Sequence, residues 1–200
     1  MKRTILLGLL ALSLSFAGQA QMKDGIWYFM TAAHFVDYEA PDGGGFLATE
    51  NWNGNAMPKQ FYLGRSLVHG LELGTSVSFM NLEMYPEDLT NRNFLDWDLM
   101  LSWKPNYKKV LAMECRTDPY IWIGGGINRI NATTEPLVTF GAGVDFWLTE
   151  YAALNLHTAL DNVMGDGKSY PHHGVGIKLR IKDQDKDTDG DGIVDRLDRC

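Results

Sequence analysis

Residues 136–162 alternate twice around a polar turn at Leu148, Thr149, Glu150 and Tyr151. Val138, Phe140, Ala142, Val144 and Phe146 share one phase, and Thr139, Gly141, Gly143 and Asp145 the other. The second arm repeats the arrangement, with Ala152, Leu154, Leu156, Thr158 and Leu160 against Ala153, Asn155, His157, Ala159 and Asp161. Successive side chains on a strand point to opposite faces, so this period of two predicts a hairpin with one apolar and one small or polar face. The polar phase is Gly, Ser, Asn, His and Asp, not the Lys, Glu and Thr that coat a soluble sheet. The apolar phase carries no charge, as lipid requires: Lys or Arg at mid-bilayer costs roughly 2–4 kcal/mol. A lipid-facing hairpin with its polar groups turned to a narrow lumen is the expectation.

The same alternation predicts further strands over residues 26–37, 60–68, 71–79, 94–103, 120–128 and 173–181. Trp27, Phe29, Ala33 and Phe35 face outward in the first, although Tyr28, Met30 and Val36 make its phase the least clean. Phe61, Leu63 and Leu67 face outward in the second, with Arg65 near its turn, and Leu71, Leu73, Thr75, Val77 and Phe79 in the third. Leu95, Trp97, Leu99, Leu101 and Trp103 follow in the fourth, then Ile121, Ile123 and Ile127, and finally Val175, Ile177 and Leu179. Long polar stretches at 38–58, 81–93, 131–135 and 163–171 predict loops on one side. Tight turns at 69–70 and 148–151, and an unusually long connection at 104–118, fall on the other. Strands of about 10 residues tilted near 45° rise roughly 24 Å, and an even number closes with both termini on one side. The expected fold is all-β, an eight-stranded antiparallel transmembrane β-barrel over residues 21–181.

The ends differ in character. Lys2 and Arg3, an apolar segment at 5–16 and Gly18, Gln19 and Ala20 form the pattern of a secretory signal, residues 1–20. No later apolar run approaches the roughly 18 residues that a membrane helix needs. The formal charge of -7 comes in part from a C-terminal Asp-rich tail, and no basic patch interleaved with aromatics points to nucleic acid. In that tail Asp187, Asp189, Asp191, Ile193, Asp195 and Asp198 stand at loop positions one, three, five, seven, nine and twelve, with Gly192 at six. This spacing wraps carboxylates and one backbone carbonyl around Ca²⁺, and predicts calcium as the cofactor. No helix pattern flanks the loop, unlike an EF-hand.

Several charges fall in the inward phase: Glu72, Asp96, Asp98, Asp145, Asp161, Lys178 and Arg180, together with His157. They read as a salt-bridged plug, because eight strands leave a lumen only wide enough for side chains and buried charges must pair. An ion or proton path is the competing reading. His172 and His173 read as loop-end surface, with a metal pair as the lesser reading. No spacing joins a Ser, His and acid into a nucleophilic site, so the expectation is not an enzyme. Gly124, Gly125 and Gly126 precede no helix, and close strand packing explains them better than a phosphate cradle.

Together the signal segment, the alternating segments and the run Asp-x-Asp-x-Asp-Gly-Ile-x-Asp-x-x-Asp-x-Cys resemble an OmpA-family outer-membrane protein whose barrel leads into a thrombospondin type 3 calcium repeat, here residues 182–200. The resemblance implies a barrel in outer-membrane lipid, a tail in the periplasm, and a structural tether between outer membrane and cell wall. Family members continue into a peptidoglycan-binding domain, so peptidoglycan is an expected partner only if the chain continues past Cys200. A subunit role beside other outer-membrane proteins, or a small porin-like channel, is the alternative. Cys115 and Cys200 both fall on the periplasmic side, where they could pair in an oxidising compartment. Equally, Cys200 could pair with a repeat cysteine beyond the chain, as is common in the family.

Overall fold

The computed structural model describes residues 25–38, 49, 52–82, 92–106, 116–149, 151–165 and 167–181. The signal segment, Cys115 and the whole tail with its calcium-loop residues and Cys200 lie outside the described residues. The described chain forms β1 (Trp27–Val36), β2 (Asn53–Ser66), β3 (Leu71–Leu82), β4 (Arg92–Trp103), β5 (Thr117–Ile130), β6 (Thr133–Trp147), β7 (Ala152–Val163) and β8 (Tyr170–Ile181). Each strand pairs antiparallel with the next, and β8 returns to β1 from Trp27 opposite Ile181 to Val36 opposite His172, closing an eight-stranded barrel. Closure leaves no open edge around the barrel, so its strands pair on both sides over their shared span, the condition for crossing hydrocarbon.

The outward phase is as the alternation predicts. Leu63, Leu73, Leu99, Leu101, Ile121, Ile123, Phe140, Val175 and Ile177 are all exposed large apolar residues and form a continuous belt, which water would not tolerate but lipid requires. Trp27 and Trp103 stand near the end that carries both termini, and the Arg65 guanidinium lies 5.4 Å from the Trp27 ring centroid. A long cationic side chain there rests its stem on apolar surface and holds its head at the rim.

Local chemistry fixes the turns. His69 (φ 60) and Gly70 (φ 81) take left-handed backbone in a 3-10 turn at Val68–Gly70, closed by Leu67 N–H donating to Leu71 at 2.7 Å. Thr149 Oγ1 accepts from the backbone N–H groups of Tyr151 (3.2 Å) and Ala152 (3.0 Å), the usual way a short hydroxyl substitutes for a backbone turn bond. Several strands run two or three residues beyond the expected ranges, and two boundaries have a clear local cause. β2 begins at Asn53, inside the expected loop, because the chain pairs with β1 through register shifts at Ala32–Phe35, with Pro58 opposite Ala33; proline donates no ladder bond and masks the strand in sequence. The expected loop at 131–135 shrinks to Asn131 and Ala132, since Thr133, Thr134 and Glu135 pair with Ile130, Arg129 and Asn128. Asn131 takes the left-handed conformation (φ 53) and its side chain accepts from the Asn93 N–H at 3.0 Å, tying the turn to β4.

Candidate functional site in the barrel lumen

The lumen is filled from end to end. At the end with the termini, Ile26, Tyr28, Trp147 and Ala153 pack together, with Arg180 over the Trp147 ring at 5.0 Å. At the opposite end Val36, Tyr38, Met80, Leu82, Phe94, Leu137, Val163 and Tyr170 form an apolar cap. Between them lie two polar layers, separated by a cavity of about 30 Å³ bordered by Tyr62, Met100, Trp122 and His157, room for a water or two.

The lower layer is built on two lysines. Lys178 Nζ lies 2.9 Å from Glu72 Oε1 and 3.2 Å from Asp145 Oδ2. Lys104 Nζ lies 3.0 Å from the same Asp145 oxygen, 3.2 Å from Glu72 Oε2 and 3.4 Å from Asp118 Oδ2. Tyrosine rings surround both ammonium groups: Lys178 is 4.9 Å from the Tyr28 centroid, 5.4 Å from Tyr62 and 5.5 Å from Tyr120, and Lys104 is 5.3 and 5.4 Å from Tyr28 and Tyr120. Their faces attract a desolvated cation where water cannot reach it. Neutral donors complete the carboxylates. Tyr62 donates to Glu72 at 2.6 Å, and Asn155 Nδ2 to Asp145 at 2.6 Å.

Small residues make this layer possible. A Cβ on Gly64 or Gly74, paired across β2 and β3, would lie 2.2 Å from the Tyr62 hydroxyl, so both glycines leave the space that this ring fills. On β8, a Cβ on Gly174 would strike the His157 ring at 2.1 Å. Gly126 does the same for backbone, since a Cβ there would meet the Trp97 carbonyl at 1.9 Å; close strand approach accounts for the glycine run.

The upper layer differs. Asp96 on β4, Asp161 on β7 and His172 on β8 converge, with His172 Nδ1 3.0 Å from Asp161 Oδ2. Asp98 lies one inward position below Asp96, and His34 of β1 stands edge-on to His172 with centroids 4.8 Å apart. Among the described residues, no Lys or Arg ion-pairs with Asp96, Asp98 or Asp161. The Tyr170 hydroxyl and the Trp97 N–H are the neighbours that can donate to Asp96, and His172 is the neighbour of Asp161.

The expected inward set thus divides. Glu72, Asp145 and Lys178 meet in the lower layer, Asp96, Asp98 and Asp161 in the upper, His157 hydrogen-bonds Asn155 at 2.7 Å between them, and Arg180 packs on Trp147 near the end with the termini. The salt-bridged plug is present in the lower layer, and among the described residues no lysine or arginine pairs with the carboxyl groups of the upper one. The loop-end reading of His172 and His173 is corrected. Consecutive strand residues face opposite ways, so His172 turns into the lumen, while His173 stays on the wall, stacked on Trp52 at 4.7 Å and bonded to Thr158 at 2.8 Å. They cannot chelate together. Lys104, Asp118 and the three tyrosines were missed. Lys104 stood in an expected loop, yet one place beyond outward Trp103 is the inward phase, and that signal was available.

No family model and no curated protein sequence matches the chain. Solved structures do. The N-terminal β-barrel domain of Pseudomonas aeruginosa OprF aligns over 80% of this chain and 100% of its own, with TM-score 0.53 and 12% identity. Neisserial surface protein A aligns over 82% and 100%, with TM-score 0.54 and 12% identity. The outer membrane protein OprG of Pseudomonas aeruginosa aligns over 84% and 100%, with TM-score 0.55 and 10% identity. The chain therefore has the fold of small eight-stranded outer-membrane β-barrels.

Proposed function

We propose that this chain is a non-enzymatic outer-membrane barrel that anchors a calcium-binding arm in the periplasm and thereby tethers the outer membrane to the cell wall. The observation that carries the anchoring role is the pairing of an apolar outer belt with a lumen occupied along its length, by the Lys178–Glu72–Asp145 network at one level and an apolar cap at another. A wall of this kind inserts, and an interior of this kind does not conduct. The arm follows from the sequence: residues 1–20 direct export, and Asp187, Asp189, Asp191, Ile193, Asp195 and Asp198 would close on Ca²⁺ and stiffen the segment that leaves the barrel.

The test has two arms. Reconstituted in planar bilayers, the native protein is expected to give no discrete single-channel steps; regular steps would move the assignment to a small porin-like channel. Extracted from its membrane fraction, it is expected to have an intact mass above that of residues 21–200 and to sediment with peptidoglycan. A mass equal to those residues, with no sedimentation, would remove the cell-wall tether.

A further inference from the structure

The upper layer contains groups that neither the wall nor the plug uses. Asp96, Asp161 and His172 are each buried, and each offers one ligand atom within 4.8 Å of the other two. Three different strands supply them, so the fold and not a local loop brings them together. Two buried polar neighbours stand beside His172. His34 is fully buried, and neither of its ring nitrogens has a hydrogen-bond partner. Asp98 is buried with its Oδ1 unpartnered, and it borders the central cavity together with His172. Buried polar atoms almost always have partners, and His34 beside the Asp96, Asp161 and His172 donors offers two ring nitrogens to a ligand held there. The chemistry of the donors points to a cation. Among the described residues no lysine or arginine pairs with these three carboxyl groups, and a divalent ion that displaces their protons is an alternative to keeping buried carboxyl groups neutral.

We propose that Asp96, Asp161 and His172 bind one divalent transition-metal ion, with His34 and Asp98 as the polar neighbours of the site. An imidazole beside carboxylates suits zinc, ferrous iron or manganese better than calcium, which takes six to eight oxygens. Ligand atoms about 2.1 Å from an ion stand roughly 3.4 Å apart, so side-chain rotations of about an ångström close the site. The ion lies between the apolar cap and the tyrosine-lined lysine layer. It is captured as the barrel closes and exchanges slowly afterwards, which separates it from any metal held by the tail.

The experiment refolds the full chain from urea into detergent micelles with Zn²⁺ present, then washes the folded protein with EDTA to strip accessible sites. Metal content is measured by mass spectrometry. The expected result is about one zinc per chain, unchanged when Asp187, Asp189 and Asp191 are replaced by Asn, and reduced at least tenfold in Asp96→Asn/Asp161→Asn. Zinc below a tenth of an equivalent in the native chain, or full retention in the double variant, overturns the proposal. Should the double variant fail to show the gel mobility of a folded barrel, His172→Gln serves in its place with the same criterion. Cobalt refolded into the native chain is expected to give visible ligand-field bands that survive EDTA; their loss on EDTA would overturn the buried site.

Discussion

The two polar layers of the lumen use the same kinds of carboxylate in opposite ways. In the lower layer, Glu72, Asp145 and Asp118 face Lys104 and Lys178, every close contact is between unlike charges, and tyrosine rings line the cations. In the upper layer, Asp96, Asp98 and Asp161 lie near His34 and His172, with His157 below, and among the described residues only the His172–Asp161 contact approaches an ion pair. One layer completes its electrostatics with side chains. The other leaves them to be completed by a proton or a metal. A buried charge network supports a fold only when each member is satisfied, so the lower layer holds the barrel together and the upper is set apart for a ligand.

The largest expected effect removes the centre of the satisfied layer. Lys178→Met strips Glu72 and Asp145 of a shared partner at 2.9 and 3.2 Å and leaves uncompensated buried charge. A loss of about 3–5 kcal/mol is expected, measured by urea unfolding in detergent micelles followed by tryptophan fluorescence. A loss below about 1 kcal/mol would mean that Lys104 alone neutralises the layer.

A charge on the wall calibrates what no compensation at all costs in this barrel. Leu99 neighbours Asp98 in sequence and pairs with Thr75 and Gly125 at mid-strand, but faces lipid. Leu99→Arg is expected to destabilise by about 2–4 kcal/mol in the same unfolding measurement made in lipid vesicles. If arginine is tolerated there without loss, the belt around Leu99 does not sit in hydrocarbon.

A smaller effect tests whether the lower layer depends on where Tyr62 lies. Gly64→Ala would place a methyl 2.2 Å from the Tyr62 hydroxyl and push it from its 2.6 Å bond to Glu72. Overpacking of this sort costs about 1–3 kcal/mol. Gly74→Ala should act alike, and the double variant should cost less than the sum, since both displace one ring. Additive losses would show that each glycine serves its own strand.

Alternation alone revealed which face each side chain takes, because period two needs no knowledge of neighbours: Leu73, Leu99, Ile123 and Val175 were legible as wall residues, and Asp96 and Asp161 as lumen residues. It could not reveal depth. Which inward residues share a level depends on register across eight pairings, and Lys178 meets Glu72 across 106 residues of chain. So the charges could be gathered into one expected plug but not sorted into two layers. Lys104 was obscured by reading the end of β4 as the start of a loop, and His172 by treating adjacent histidines as a pair when strand geometry separates them. The start of β2 was hidden by Pro58 and the bulge that accommodates it.

The smallest effect is the one that separates the layers by sign. Asp96 is buried beside Asp98 on the same face of β4 and across from Asp161. When the chain is refolded in EDTA at alkaline pH, where the carboxyl groups of this layer lose their protons, Asp96→Asn removes one like charge while keeping the side chain's shape. It is therefore expected to stabilise the barrel by about 1 kcal/mol, where loss of a partner in the lower layer destabilises it. Refolding with Zn²⁺ should reverse the ranking, because the native chain gains the binding free energy and the variant does not. Unfolding curves for both proteins under both conditions decide it. If Asp96→Asn is destabilising in EDTA, the carboxyl group is already satisfied by the protein, and the upper layer is a second plug and not a cation site.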